Sequence, residues 1–182
     1  MHLTAFPLKV DPSLIHRLFY PQVPAVLSAM AGRRVSAMPV VSYTSVSDSP
    51  PMVAVSSVPS HYTCKLVLEA GCFSLCILDR TYAGAIARLA SVSGAKTEDK
   101  LADAGLEYAR GKKVGVPVIK GASANLECSL TAKRKFGDHL LLIGEVKAVH
   151  ASDAFDGFWD FARYRPLLYT GWREGLTTLP GA

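Results

Sequence analysis

Residues 36–65, SAMPVVSYTSVSDSPPMVAVSSVPSHYTCK, read as strand, turn, strand and the start of a helix, and the rest of the chain can be laid out around them. Polar residues gather where the second strand hands over to the helix. Ser60 takes the N-cap position in this reading, with His61, Tyr62 and Thr63 as the first helical turn. A helix N-terminus offers free backbone N–H groups and the positive end of a dipole. Hydroxyls of Ser56, Ser57, Ser60 and Thr63, with the ammonium of Lys65, make this a plausible phosphate seat. The same pattern serves an ordinary capped helix after a strand, which is its commoner use. The local sequence leaves both readings open.

Working outward, Asp48–Ser49–Pro50–Pro51 is a turn, because a residue before proline is forced into extended geometry. It joins a strand at 33–43 to a β-branched strand at 52–58. The helix runs over 60–70, with Cys64, Val67 and Leu68 as its core-facing stripe, and Gly71 ends it. An unbroken apolar run at 72–78 fits a buried strand. Upstream lie a short strand at 24–30 and, over 1–22, an arm with one helical turn. Downstream, Tyr82, Ile86 and Leu89 line one side of a helix at 82–92, and 93–121 is a surface excursion, a lid or a dimer contact. At 125–134, Leu126, Cys128 and Leu130 face one way and Glu127, Ser129 and Thr131 the other, as in a half-buried strand. Gly137–Asp138 turns it back into a partner strand at 140–149, and after a variable stretch at 152–160 a last short strand falls at 166–169. Six or seven strands that do not alternate with the two helices argue for a mainly β, closed antiparallel barrel with short helices at its rim.

The 182 residues fit a single domain, and a hydrophobic fraction of 49% leaves apolar surface to spare for a partner subunit. No apolar run approaches the roughly 18 residues of a bilayer-crossing helix, and the N-terminus lacks a signal-peptide pattern, so the expected location is cytoplasmic, without membrane attachment. Cys64, Cys72, Cys76 and Cys128 show no metal-site spacing and read as buried reduced thiols, with no metal expected. The net charge of +5 is concentrated in 110–113 and 133–135, beside turn glycines. These are solvated loops rather than a nucleic-acid stripe, although a modest positive field can steer an anionic cofactor. The chain has no G-x-G-x-x-G, Walker loop, G-x-S-x-G or H-E-x-x-H.

Three blocks, in order and at matching spacing over roughly residues 20–170, resemble the flavin reductase-like family with the FMN-binding split-barrel fold. AMPVVSYTSVSDSPPMVAV (37–55) resembles that family's strand pair joined by a diproline turn. SHYTCKLVLEAGCFSLCIL (60–78) resembles its phosphate-end helix and following strand. ANLECSLTAKRKFGDHLLLIGEVKAVH (124–150) resembles its LEC, GDH and IGEV hairpin. YRPLLYTG (164–171) is similar to the closing strand.

The resemblance implies a homodimer with one non-covalent FMN near each subunit interface, and an oxidoreductase that reduces flavin with NADH or NADPH. It implies that Met38, Pro39, Val40, Val41, Ser42, Tyr43, Thr44 and Ser45 line the isoalloxazine ring. It implies that Ser57, Pro59, Ser60, His61, Thr63 and Lys65 hold the ribityl phosphate, where the local pattern had already offered an anion seat. Electrons would pass to a partner monooxygenase or to another acceptor; the alternative is a non-enzymatic FMN carrier or electron-transfer flavoprotein. Many relatives carry asparagine where this chain has Ser36 and arginine where it has His61, and Tyr43 stands where an aromatic often follows the central serine, which leaves the choice between FMN and FAD open. His139 is either a turn histidine bonded locally or, as the resemblance suggests, a group beside the meeting point of flavin and nicotinamide. Glu127 and Glu145 are expected to face outward or to be structural.

Overall fold

The computed structural model describes residues 9–171 and 175–178. The chain is mainly β. Its strands are β1 (Ala25–Ala31), β2 (Arg34–Val40), β3 (Tyr43–Asp48), β4 (Pro51–Ser57), β5 (Cys72–Ile77), β6 (Tyr108–Arg110), β7 (Pro117–Ile119), β8 (Ala124–Phe136), β9 (His139–Ala151), β10 (Leu167–Tyr169) and β11 (Leu176–Thr178). The helices are α1 (Tyr62–Ala70), α2 (Ala83–Ser91) and α3 (Lys100–Asp103). Seven strands form one antiparallel sheet in the order β2-β1-β5-β8-β9-β4-β3. Its two edge strands, β2 and β3, are separated by only Val41 and Ser42. The sheet must therefore roll until its edges meet at that link, giving a barrel split along the β2–β3 seam.

Two apolar layers follow. Inside the barrel, Leu27, Val55, Phe73, Leu75 and Leu142 pack with Cys64, Leu66 and Val67 of α1, which plugs one end. Outside, Val26, Val35, Ala37 and Cys76 meet Ile86 and Leu89 of α2 and Leu101 of α3. β1 is thus buried on both faces, as its apolar run AVLSAMA requires. Gly144 of β9 faces Phe73: a Cβ there would lie 2.4 Å from the ring, so the two strands can only approach this closely over a glycine.

Several expectations are corrected. The N-cap is His61, not Ser60, and it makes no side-chain capping bond. The reason is local: the His61 amide is already bonded to the Val58 carbonyl at 3.1 Å, in a turn that delays the helix. Gly71 ends α1 in the left-handed conformation as expected, at φ +66°. The strand at 33–43 is broken at Val41–Ser42 by the seam, and Tyr43 belongs to the next strand. The N-terminal arm, whose residues 1–8 lie outside the described residues, carries an eight-residue 3-10 helix over Pro12–Phe19. The excursion at 93–121 holds α3 and the β6–β7 hairpin. Short β11, which pairs with β10, was not foreseen. Among the described residues no helix is long and apolar enough to cross a membrane, and no cluster of His, Cys, Asp or Glu is fit to hold a metal.

Glu127 is fully buried rather than outward-facing. The loop at 111–114 folds over that face of β8, and the carboxylate accepts the amides of Lys112, Lys113 and Val114 at 3.2, 2.8 and 3.0 Å. His150 Nε2 stands 3.5 Å away. Gly111 is required here, since a Cβ would fall 2.5 Å from the carboxylate. Burial alone would raise the Glu127 pKa; the three amides and His150 outweigh it and hold the carboxyl below its usual range. Glu127 is a structural pin.

Candidate functional site

The split seam and the N-terminus of α1 enclose two adjoining cavities. The first, about 420 Å³, lies between Met38 and Pro39 of β2, residues 60–63, the end of α2 and residues 93–94. The second, about 180 Å³, lies along residues 38–42 and is closed by Ser57, His61 and His139. Met38, Pro39 and His61 line both, so the two form one groove across the seam.

The floor of the larger cavity is an anion pole. After the His61 amide is used in its turn, the helical ladder starts with the Lys65 amide on the His61 carbonyl at 3.1 Å. The amides of Tyr62, Thr63 and Cys64 between them carry no partner among the described residues, as at any open helix start. Thr63 is buried, and its hydroxyl lies 2.8 Å from that of Ser36, which fixes both. Gly94 presses on this corner: a Cβ would fall 2.2 Å from the Ser36 hydroxyl and 2.9 Å from the Tyr62 ring. Any other residue at position 94 would fill the cradle.

Lys100, at the start of α3, supplies the charge. It is only 5% exposed, lines the cavity, and no carboxylate or other partner meets it among the described residues. Burial pushes its pKa down, the mark of an ammonium without a counter-ion. A buried cation left unpaired is costly unless something anionic joins it.

The other end of the groove is apolar backbone and one imidazole. Residues 38–42 present Met, Pro, Val, Val and Ser to it. His139 follows the Gly137–Asp138 turn, where Gly137 has φ +56°. Its Nδ1 is 2.7 Å from an Asp138 carboxylate oxygen, which leaves Nε2 as the free ring nitrogen. The bond to His139 holds the Asp138 carboxyl below its ordinary pKa. The imidazole is anchored, yet its side chain remains 44% exposed.

Most residues singled out from the sequence are brought together here. Met38, Pro39, Val40, Val41, Ser42, Ser57, His61 and His139 line the smaller cavity, and Ser60, His61 and Thr63 the larger. Five are not. Thr44 and Ser45 are exposed on β3 beyond the seam. Tyr43 turns into the barrel and donates its hydroxyl to the Val23 carbonyl at 2.9 Å. Pro59 lies in the turn without lining either cavity, and Lys65 is exposed on the outer face of α1. Lys100 and Gly94 were missed. Both sit in the excursion at 93–121, and only long-range packing carries that segment back to α1.

An apolar wall joined to a cationic, amide-lined pole suits a ligand with a flat ring system at one end and a phosphate at the other. The cradle beneath Gly94 and the unpaired Lys100 fit a flavin mononucleotide.

Residues 16–174 match the family model described as Flavin reductase like domain. Among curated relatives, an uncharacterized protein of Aeropyrum pernix is 38% identical over 90% of this chain, which spans 62% of that longer protein. A flavin reductase of Pseudomonas putida is 34% identical over 76% of this chain and 79% of its own length. Among solved structures, the FMN-binding protein of Thermus thermophilus with bound p-hydroxybenzaldehyde is similar at a TM-score of 0.79 and 29% identity, covering 97% of this chain and 95% of that one. The rolled seven-stranded sheet, the plugging helix and the match over 16–174 agree: this chain belongs to the flavin reductase-like family and has its FMN-binding split-barrel fold.

Proposed function

We propose that the protein is an NAD(P)H-dependent flavin reductase that binds FMN in the groove across the β2–β3 seam. The observation that carries this reading is Lys100: a side chain only 5% exposed, without a carboxylate partner among the described residues, that lines the same cavity as the start of α1, at one end of a groove whose other end is apolar. Lys100 and the amides of Tyr62, Thr63 and Cys64 would hold the phosphate, with the α1 dipole adding to the attraction. Residues 38–42 would form the wall for the ring. Bound FMN supplies the acceptance of hydride from the reduced nicotinamide and the onward transfer of electrons. The chain then needs no strong acid or base. Its tasks are to seat the phosphate, orient the ring and exclude water on the buried side.

His139 has a positioning task on the open side of the groove. Asp138 fixes its ring, so Nε2 can donate to or accept from the incoming nicotinamide. Anaerobic mixing of the FMN-loaded protein with NADH, and separately with NADPH, should bleach the oxidised flavin band. His139→Ala should slow that bleaching by about tenfold, the loss of one oriented hydrogen bond, with FMN affinity kept. Bound flavin that neither donor bleaches would make the protein an FMN carrier instead. A variant that loses FMN affinity without slowing would move His139 to the cofactor side.

The protein is further read as a homodimer. Val46, Phe136 and Val149, on β3, β8 and β9, are each at least half exposed, at 50%, 52% and 58%, apolar surface of the kind that a second copy would cover. Light scattering at micromolar concentration should give twice the chain mass of 19.5 kDa, and a monomer would contradict this.

A further inference from the structure

A third cavity, about 340 Å³, shares a wall with the groove: Pro39, Val40 and Val41 line both it and the smaller cavity across the seam. Ile86 and its neighbours on α2 close one side of it, and Tyr20 and Tyr169 stand at another. No Lys, Arg, His, Asp or Glu is among the described residues that line it. The two tyrosines are held in place. Their rings meet edge to face, with centroids 5.0 Å apart and planes at 80°. Gln22 and Tyr169 exchange both backbone hydrogen bonds, at 3.1 and 2.8 Å. Gly171 makes room for Tyr20, since a Cβ there would lie 2.3 Å from the ring. Neither hydroxyl has a hydrogen-bond partner among the described residues, whereas Tyr43, Tyr82 and Tyr108 each donate theirs within the protein. Burial and the nearby Tyr169 push the Tyr20 pKa above its ordinary value, so the phenol stays a neutral donor.

This lining narrows the ligand. A charge-free apolar cavity suits an uncharged ring compound, and two free phenol donors at one wall suit a carbonyl oxygen at its edge. Charged acceptors, such as a ferric chelate or a second nucleotide, would be desolvated there without a counter-ion. A ring in this cavity is parted from a flavin ring against residues 38–42 by a single stretch of chain. Hydride transfer needs its two reacting atoms in contact, so an enone or an imine is poorly served. Electrons cross such a gap without contact. We propose that this cavity binds a quinone, held through a carbonyl oxygen by the hydroxyls of Tyr20 and Tyr169, as an acceptor of electrons passed across residues 39–41 from the reduced flavin. The flavin is oxidised, giving up two electrons and one proton. The quinone is reduced, taking those electrons and two protons, the second from water, and leaves as the hydroquinone. The electron transfer rests on the reading that flavin lies in the groove; the binding of the quinone does not.

The probe is duroquinone, a fully methylated benzoquinone to which cysteines do not add. Calorimetric titration of the whole flavin-free protein should show binding, and loading with FMN should leave it in place. A variant carrying both Tyr20→Phe and Tyr169→Phe keeps the rings and should bind about tenfold more weakly, the loss of neutral hydrogen bonds to one oxygen. Ala87→Phe should abolish binding by filling the cavity; Ala87 lines it from the exposed side of α2, so the core is left intact. In both variants FMN affinity and bleaching by NADH or NADPH should match wild type. Reoxidation of the reduced, FMN-loaded protein by duroquinone should slow, and reoxidation by ferricyanide, too highly charged to enter, should not. No binding to the flavin-free protein, binding that survives Ala87→Phe, or displacement of the quinone by FMN would overturn the proposal, the last by giving the quinone to the groove itself. Quinone binding with no FMN binding to wild type would instead bring down the flavin reading, and the electron transfer with it.

Discussion

Lys100→Met should weaken FMN binding by about tenfold to a hundredfold, the span expected for one lost charged hydrogen bond at 1.4 kcal/mol per decade. Riboflavin, which has the same ring and no phosphate, should bind the variant as it binds wild type. The asymmetry follows from the place of Lys100, which is 5% exposed, has no partner among the described residues and lines the cavity that the start of α1 also lines. Methionine keeps the apolar stem of the side chain and removes only the charge, so the packing of α3 should persist. Lys65→Ala serves as the control. That lysine is exposed on the outer face of α1 and should matter little for either ligand. Titration of both ligands against both variants decides the point. Equal losses for FMN and riboflavin in Lys100→Met would mean that the residue only supports the fold.

Glu127→Ala should lower stability by about 2–4 kcal/mol, because it strands donors that one buried carboxylate now satisfies. For a chain of this length that corresponds to a fall in melting temperature of roughly 4–16 °C, read by thermal denaturation. Glu127→Gln keeps the shape and isolates the charge. Because the folded carboxyl titrates below its unfolded counterpart, its stabilisation is complete above the unfolded pKa and is lost as pH falls through the folded one. The gap between wild type and Glu127→Gln should therefore be full at neutral pH and shrink below about pH 4.3, the ordinary glutamate value. A gap that stays constant into acid would mean that the amides do not prefer the charged form.

The two variants also mark where the sequence was legible. Residues 36–65 could be read because their signals are local: a proline turn, β-branched strands, a run of hydroxyls before a helix, and Gly71 after it. From these follow α1, the hairpin of β3 and β4 and the neighbourhood of the groove. Local signals alone singled out a cation that lines neither cavity. Lys65 is near the helix start in sequence, but Thr63, Cys64, Leu66 and Val67 face inward and turn it to solvent. Lys100 lines the same cavity as the start of that helix only because α3 docks on β2 through a segment with little periodicity of its own. Glu127 is structural, one of the two roles expected of it, but what buries it was not legible for a related reason. Alternation along β8 placed it opposite Leu126 and Cys128, which is right, but that face is covered by a loop that no strand pattern announces. The break of the second strand at Val41–Ser42 is likewise a property of the rolled sheet, since the residues on either side are equally good strand formers.

The central claim is that the groove across the seam seats a flavin with its phosphate against Lys100 and the first turn of α1. A crystal structure of the protein with FMN tests it most directly. The account predicts phosphate oxygens within about 3 Å of Lys100 Nζ and of at least one of the amides of Tyr62, Thr63 and Cys64, with the ring against residues 38–42. A phosphate held elsewhere, with the Lys100 ammonium still unpaired, would contradict it.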